Sequence, residues 1–143
     1  VFNPKKGIEF TKTIINNAKY IKFVPIENMS MAKVAKLLST AKVYIDFGNH
    51  PGKDRIPREA AISGCCVIVG KNGSAKYFED VPIGDEFKFD AKNRNIPLII
   101  DKIMRCLNNY EDESKKFEDY REIIKNEQIK FKNDIKTIFQ VNK

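Results

Sequence analysis

Tryptophan is absent from these 143 residues, histidine occurs once and cysteine three times. That leaves almost no material for a Cys/His zinc site, so no bound metal is expected. Cys65 and Cys66 are adjacent in an apolar run that reads as strand packing, and Cys106 stands alone in a helical pattern. This usage argues against a disulfide scaffold and fits a reducing cytosol. No apolar stretch approaches the roughly 20 residues a membrane span needs. There is no signal-peptide pattern and no long low-complexity run. The chain begins at Val1, as a segment cut from a longer protein would.

What remains suits one compact domain with a real core: 42% of residues are hydrophobic,. The net charge is +7 and the pI about 9.3. Such a surface favours anions, whether phosphates, acidic membrane or nucleic acid. Lysine, asparagine and isoleucine are all frequent, as an AT-rich genome would produce, so charge alone chooses no partner. The basic residues are spread along the chain and match no DNA- or RNA-binding motif, so nucleic acid is not an expected partner.

The chain alternates regularly. Val1-Phe2 reads as a strand end, and Asn3-Pro4-Lys5-Lys6-Gly7 as a turn. Ile8, Ile14, Ile15 and Ala18 then fall at helical spacing,. Ile21 to Ile26 is a short β-rich run, and Ser30 can cap a helix with Val34, Leu38 and Ala41 on one face,. Val43 to Phe47 is a strand, and Gly48 opens a long polar loop. Pro57 suits the first turn of the next helix and Gly64 its end,. Cys65 to Val69 is a buried strand, Gly70 to Ser74 a turn, and Phe87 to Phe89 a weaker strand. Repeated β-loop-α units with continuous apolar strands predict an α/β fold: a Rossmann-like parallel sheet with helices on both faces. Ligands bind at the carboxyl edge of such a sheet.

Residues 91–143 change in composition and predict C-terminal helices. One runs from Asn95 to Asn109. A single longer one runs from Glu111 to about Phe139, with Phe117, Tyr120, Ile124, Phe131, Ile135 and Ile138 in a near-heptad stripe interrupted by Gln128. That stripe packs on the 1–90 core, on a domain outside the chain, or in a coiled-coil seam.

The densest polar segment is Asn49 to Glu59, which leaves a strand and enters a helix. Lys53, Arg55 and Arg58 supply positive charge, and the helix start supplies free N–H groups, a combination that suits a diphosphate. Glu59, expected in the first helical turn, could accept hydrogen bonds from sugar or ribose hydroxyls. A surface loop laced with salt bridges explains the same residues equally well. Asn3 to Gly7 belongs to the same edge but is neither a Walker loop nor a dinucleotide fingerprint. Gly73 and Ser74 sit in a third turn that permits close backbone approach. His50 could serve as a base near neutral pH, although a loop histidine is more often solvated.

This order of motifs resembles the C-terminal, donor-binding domain of GT-B glycosyltransferases, especially the GT4-like group, over roughly Val1 to Asp90. Lys6-Gly7 matches the Lys-Gly that contacts the donor diphosphate in that family, with Asn3 near the place where an arginine is common. Pro25-Ile26 resembles the turn that holds the base through backbone groups. Ile56-Pro57-Arg58-Glu59-Ala60 followed by Gly64-Cys65-Cys66-Val67-Ile68 resembles the family's Pro-x-x-Glu-Ala…Gly-x-Pro-Val-Ile. Glu59 then stands for the second glutamate of E-x7-E, which binds ribose. Pro51 occupies the position of the first glutamate, and Asp54 is the nearby carboxylate that could meet the sugar.

The resemblance implies a nucleotide-sugar donor, no metal and no other cofactor. It implies an acceptor, glycan or lipid-linked, bound by an N-terminal domain outside this chain. It also implies a role in bacterial surface polysaccharide synthesis (O-antigen or capsule), in the cytoplasm or at the inner face of the membrane. The fragment by itself should bind nucleotide and not catalyse. A non-enzymatic Rossmann-like module with a helical oligomerisation segment is the alternative. A phosphorelay receiver, suggested by Asp46 near a strand end, fits poorly with the basic loop that follows.

Overall fold

The computed structural model describes residues 1–5, 7–49, 55–73 and 76–141. Three strands, β1 (Val43–Asp46), β2 (Cys66–Gly70) and β3 (Lys88–Phe89), form a parallel sheet in the order β1-β2-β3. Val43 pairs with Cys66 and Val69 with Lys88. Every residue of β1 and β2 is buried, as strands covered on both faces must be,.

Two extended segments continue this sheet past β1. Phe2 bridges in parallel to Ile45 on one side and to Pro25 on the other. The Ile45 N–H donates to Val1 O at 3.0 Å, and the Ile26 N–H to Phe2 O at 2.9 Å. Pro25 has no N–H to give a further neighbour, so the sheet has an edge there and the run predicted over Ile21 to Ile26 shrinks to a bridge. Taken in chain order, the segments lie 2-1-3-4-5 across the sheet. That is a doubly wound order, consistent with a Rossmann-like unit.

Helices α1 (Ile8–Asn17) and α2 (Met31–Thr40) precede β1, and α3 (Arg55–Ile62) joins β1 to β2. Gly7, with φ of 64°, ends the turn that starts α1. Ser30 Oγ accepts the Lys33 N–H and caps α2, as its sequence predicts,. Gly64, with φ of 99°, follows α3 in the left-handed conformation that ends many helices,. Helix α4 (Ile96–Asn108) packs against α1 and β1, while α3 packs against β1, β2 and α2. Right-handed crossovers put α1 and α3 on opposite faces of the sheet.

The expected single helix from Glu111 to Phe139 is instead two, α5 (Tyr110–Lys115) and α6 (Glu118–Val141). The last turn of α5 tightens, with the Phe117 N–H donating to Ser114 O. Phe117 is thereby turned inward, its ring centroid 4.5 Å from that of Phe87. Arg121 fills the break: Nη1 donates to Ser114 O at 2.9 Å and Nε to Ala61 O at 2.7 Å. These bonds tie α6 to α5 and to α3. Phe117, Tyr120 and Ile124 are buried, whereas Phe131, Ile138 and Phe139 on the distal half are exposed. Phe87 itself belongs to a 3-10 turn, Asp85–Phe87, so the strand expected at Phe87 begins one residue later. No helix among the described residues is long and apolar enough to cross a membrane.

Candidate functional site

The segment Val1-Phe2 and strand β1 are sheet neighbours whose following loops leave toward opposite faces. That is the switch point at which a doubly wound sheet opens a crevice beyond its strand ends. Here the crevice measures about 350 Å3 and is lined by Asn3, Asp46, Arg55, Ile56 and Pro57.

Asp46, the last residue of β1, organises its floor. The side chain is buried, and Tyr44, two residues back and on the same face of the strand, donates its hydroxyl to Oδ2 at 2.7 Å,. Asn3 Nδ2 lies 3.4 Å from the same oxygen, and the Gly48 N–H donates to Oδ1 at 2.9 Å. One carboxylate thus holds the loop after Phe2 and the loop after β1. A second link runs through the Phe47 carbonyl. Asn72 Nδ2 donates to it at 3.1 Å from the turn after β2. Gly7 packs so closely that a Cβ there would lie 2.2 Å from Phe47 O.

The start of α3 forms one wall. Arg55 Nε pairs with Glu59 Oε1 at 3.1 Å along the helix, and Arg55 Nη1 donates to Met31 Sδ at 3.6 Å. Arg58 pairs with Glu127 of α6. Arg55, Arg58 and Glu59 also line a groove of about 550 Å3 between α2, α3 and α6, floored by Ala35 and Ile124. Glu59 lies one turn into α3 and not in its first turn, because the helix already starts at Arg55, ahead of Pro57.

The expected site residues are thus partly assembled. Asn3 and Arg55 meet at the crevice, Gly7 closes against its rim, and Arg55, Arg58 and Glu59 share the adjoining groove. Pro25 and Ile26 are separated from β1 by the Val1-Phe2 segment, and the Ile26 N–H is consumed by the sheet. Gly73 is exposed beside Asn72. Lys6, His50, Lys53, Asp54 and Ser74 lie outside the described residues, as does Pro51. Asp46 as a loop anchor, Tyr44 and Asn72 escaped the sequence reading. An aspartate ending an otherwise apolar strand is the signal that could have found the first.

A different cavity, of about 250 Å3, lies at the opposite edge of the sheet among Ile21, Phe23, Leu37, Val43 and Leu107. Its lining is mainly apolar; of its polar members the amino group of Val1 donates to Val43 O and Lys42 Nζ to Leu107 O, while Lys22 and Thr40 complete the set. No group of three or more His, Cys, Asp or Glu among the described residues could hold a metal ion.

Comparison with protein-family models, curated proteins and solved structures finds no match to the chain. The chemistry of the crevice therefore carries the functional reading. It combines a helix start with a guanidinium, which favour an anion, and the Glu59 carboxylate in the adjoining groove could accept hydrogen bonds from hydroxyls,.

Proposed function

We propose that this chain binds a nucleoside diphosphate or its sugar conjugate at the carboxyl edge of the sheet, as the donor-binding half of a glycosyltransferase. The observation that carries the reading is the crevice at the switch point, where Arg55 and the start of α3 face Asn3 across Asp46. A diphosphate there would meet a guanidinium fork and the positive end of a helix. Glu59, one turn further, would receive ribose hydroxyls.

In this reading the sugar leaves a diphosphate whose negative charge grows as the glycosidic bond breaks, and fixed cations favour that departure. The acceptor and the second wall of the cleft come from another domain, and closure excludes water. Polysaccharide synthesis at the inner face of a bacterial membrane is the proposed setting. Isothermal calorimetry with UDP, GDP, ADP and their sugar conjugates tests the reading. Saturable binding that weakens at least tenfold in Arg55→Ala supports it, and absence of binding to every one of them overturns it.

A second reading is favoured by the distal half of α6. There Ile129, Phe131, Ile138 and Phe139 are all more than half exposed, as an oligomerisation helix would be before assembly. Sedimentation of the intact chain as a monomer at high concentration would remove it.

A further inference from the structure

Both arginines at the start of α3 are already neutralised, and the two partners differ in kind. The partner of Arg55 is Glu59, four residues along the same helix, which moves with it. The partner of Arg58 is Glu127, 69 residues away on α6. Each guanidinium thus already holds a carboxylate, and an anion that engages it must share it with that carboxylate or displace it. Glu59 stays within reach of Arg55 wherever α6 lies, because both side chains stand on α3. Glu127 can be carried away with its helix, because α6 quits the core at this point. Ile124 is its last buried apolar residue, Gln128 only lines the groove, and of residues 129–139 all but half-buried Ile135 are exposed.

We propose that Glu127 is a built-in competitor for an anion that reaches from the crevice into the adjoining groove, which Arg55 and Arg58 line. It occupies Arg58 in the ligand-free chain and yields it to the phosphates of an incoming ligand, so occupancy of the site and docking of distal α6 oppose each other. The proposal rests on the nucleoside-diphosphate reading above. It follows from charge and geometry. A guanidinium has five N–H donors in a fixed fork, and a diphosphate bound beside Glu127 would face like charge at close range. The coupling is reciprocal: whatever pulls distal α6 away from α3 strengthens anion binding, and the anion loosens α6.

The test is calorimetry of the full chain with inorganic pyrophosphate and with UDP, GDP and ADP, comparing wild type, Glu127→Gln, Arg58→Ala and the double variant. Glu127→Gln should bind about two- to fivefold more tightly than wild type, the range of a partly exposed ion pair. The gain should vanish when Arg58 is alanine. Amide exchange should quicken in residues 128–139 of the wild type when ligand is added, and should already be quick in Glu127→Gln. Thermal melts of the four proteins check that each is folded. Equal affinity of wild type and Glu127→Gln overturns the competition and leaves the nucleotide reading standing. A gain that persists without Arg58 also overturns it. Binding by none of the four overturns both.

Discussion

Gly7 lies against the Phe47 carbonyl so tightly that a Cβ on it would stand 2.2 Å from the oxygen, with φ held at 64°. Gly7→Ala therefore meets two penalties, left-handed backbone at about 1–2 kcal/mol and a clash that only backbone movement relieves. The variant should lose more than about 2 kcal/mol in urea unfolding. Because the displaced loop bears Asn3, its affinity for nucleoside diphosphates should fall as well. Wild-type stability in Gly7→Ala would show that the two loops do not depend on this contact.

Asp46 joins the same loops by hydrogen bonds. Asp46→Ala leaves the buried Tyr44 hydroxyl and the Gly48 N–H without this acceptor, at a cost of about 2–3 kcal/mol. Tyr44→Phe removes one donor and should cost about 1 kcal/mol. Chemical denaturation of the two variants distinguishes an anchor for two loops from a single pair. Equal losses would mean that only the Tyr44–Asp46 bond matters.

The order of strands and helices around β1 and β2 was legible in the sequence because both strands are continuous apolar runs between turn residues. Ser30 and Gly64 marked helix ends correctly, since capping and left-handed termination are local. The break between α5 and α6 was not legible. No glycine or proline stands at Lys116-Phe117, and the interruption comes from Phe117 packing on Phe87 and from Arg121 reaching Ala61. Likewise the segment Asn49 to Glu59 reads as basic, but the Glu127 that neutralises Arg58 lies on a helix distant in sequence. Long-range pairing leaves no local pattern. Asp46 was legible as a residue near a strand end, but its partners Asn3 and Gly48 depend on which loops the sheet order makes neighbours.

An ionic cluster joins α4, α5 and the Asp85–Phe87 turn. Buried Glu113 pairs with Lys102, Arg105 and Lys116, and Glu86 with Lys102 and Lys116, while Lys102 lies over the Phe87 ring at 4.5 Å. Burial raises the Glu86 carboxyl, but hydrogen bonds and charge from Lys102 and Lys116 outweigh it and hold the pKa below the ordinary value. The Lys116 ammonium is raised, chiefly by its hydrogen bond to Glu113, against a smaller effect of burial. Glu86 thus contributes stability above the ordinary glutamate range, lost as pH falls through its lower folded value. Lys116 contributes below the ordinary lysine range, and loses it as pH rises through its higher folded value. Urea midpoints measured from neutral to acid pH should fall less steeply in Glu86→Gln than in wild type. Identical slopes would exclude Glu86 from acid unfolding.

All three cysteines are buried free thiols. Burial pushes the Cys65 thiol up to about 11, against the attraction of the amino terminus. In the folded chain Cys65, protonated and enclosed, should react with a thiol reagent only through opening of the structure. Mass spectrometry after brief alkylation should find Cys65 unmodified in buffer and modified in denaturant. Rapid labelling of Cys65 under native conditions would contradict its burial.

Nuclear magnetic resonance titration of the isotopically labelled chain with UDP, GDP and ADP tests nucleotide binding at the carboxyl edge most directly, because it reports place as well as affinity. Saturable shifts should gather at Asn3, Gly7, Asp46 to Asn49 and Arg55 to Glu59, and should weaken in Arg55→Ala. No saturable shift with any of them, or shifts gathered at the opposite edge around Phe23, Val43 and Leu107, would contradict it.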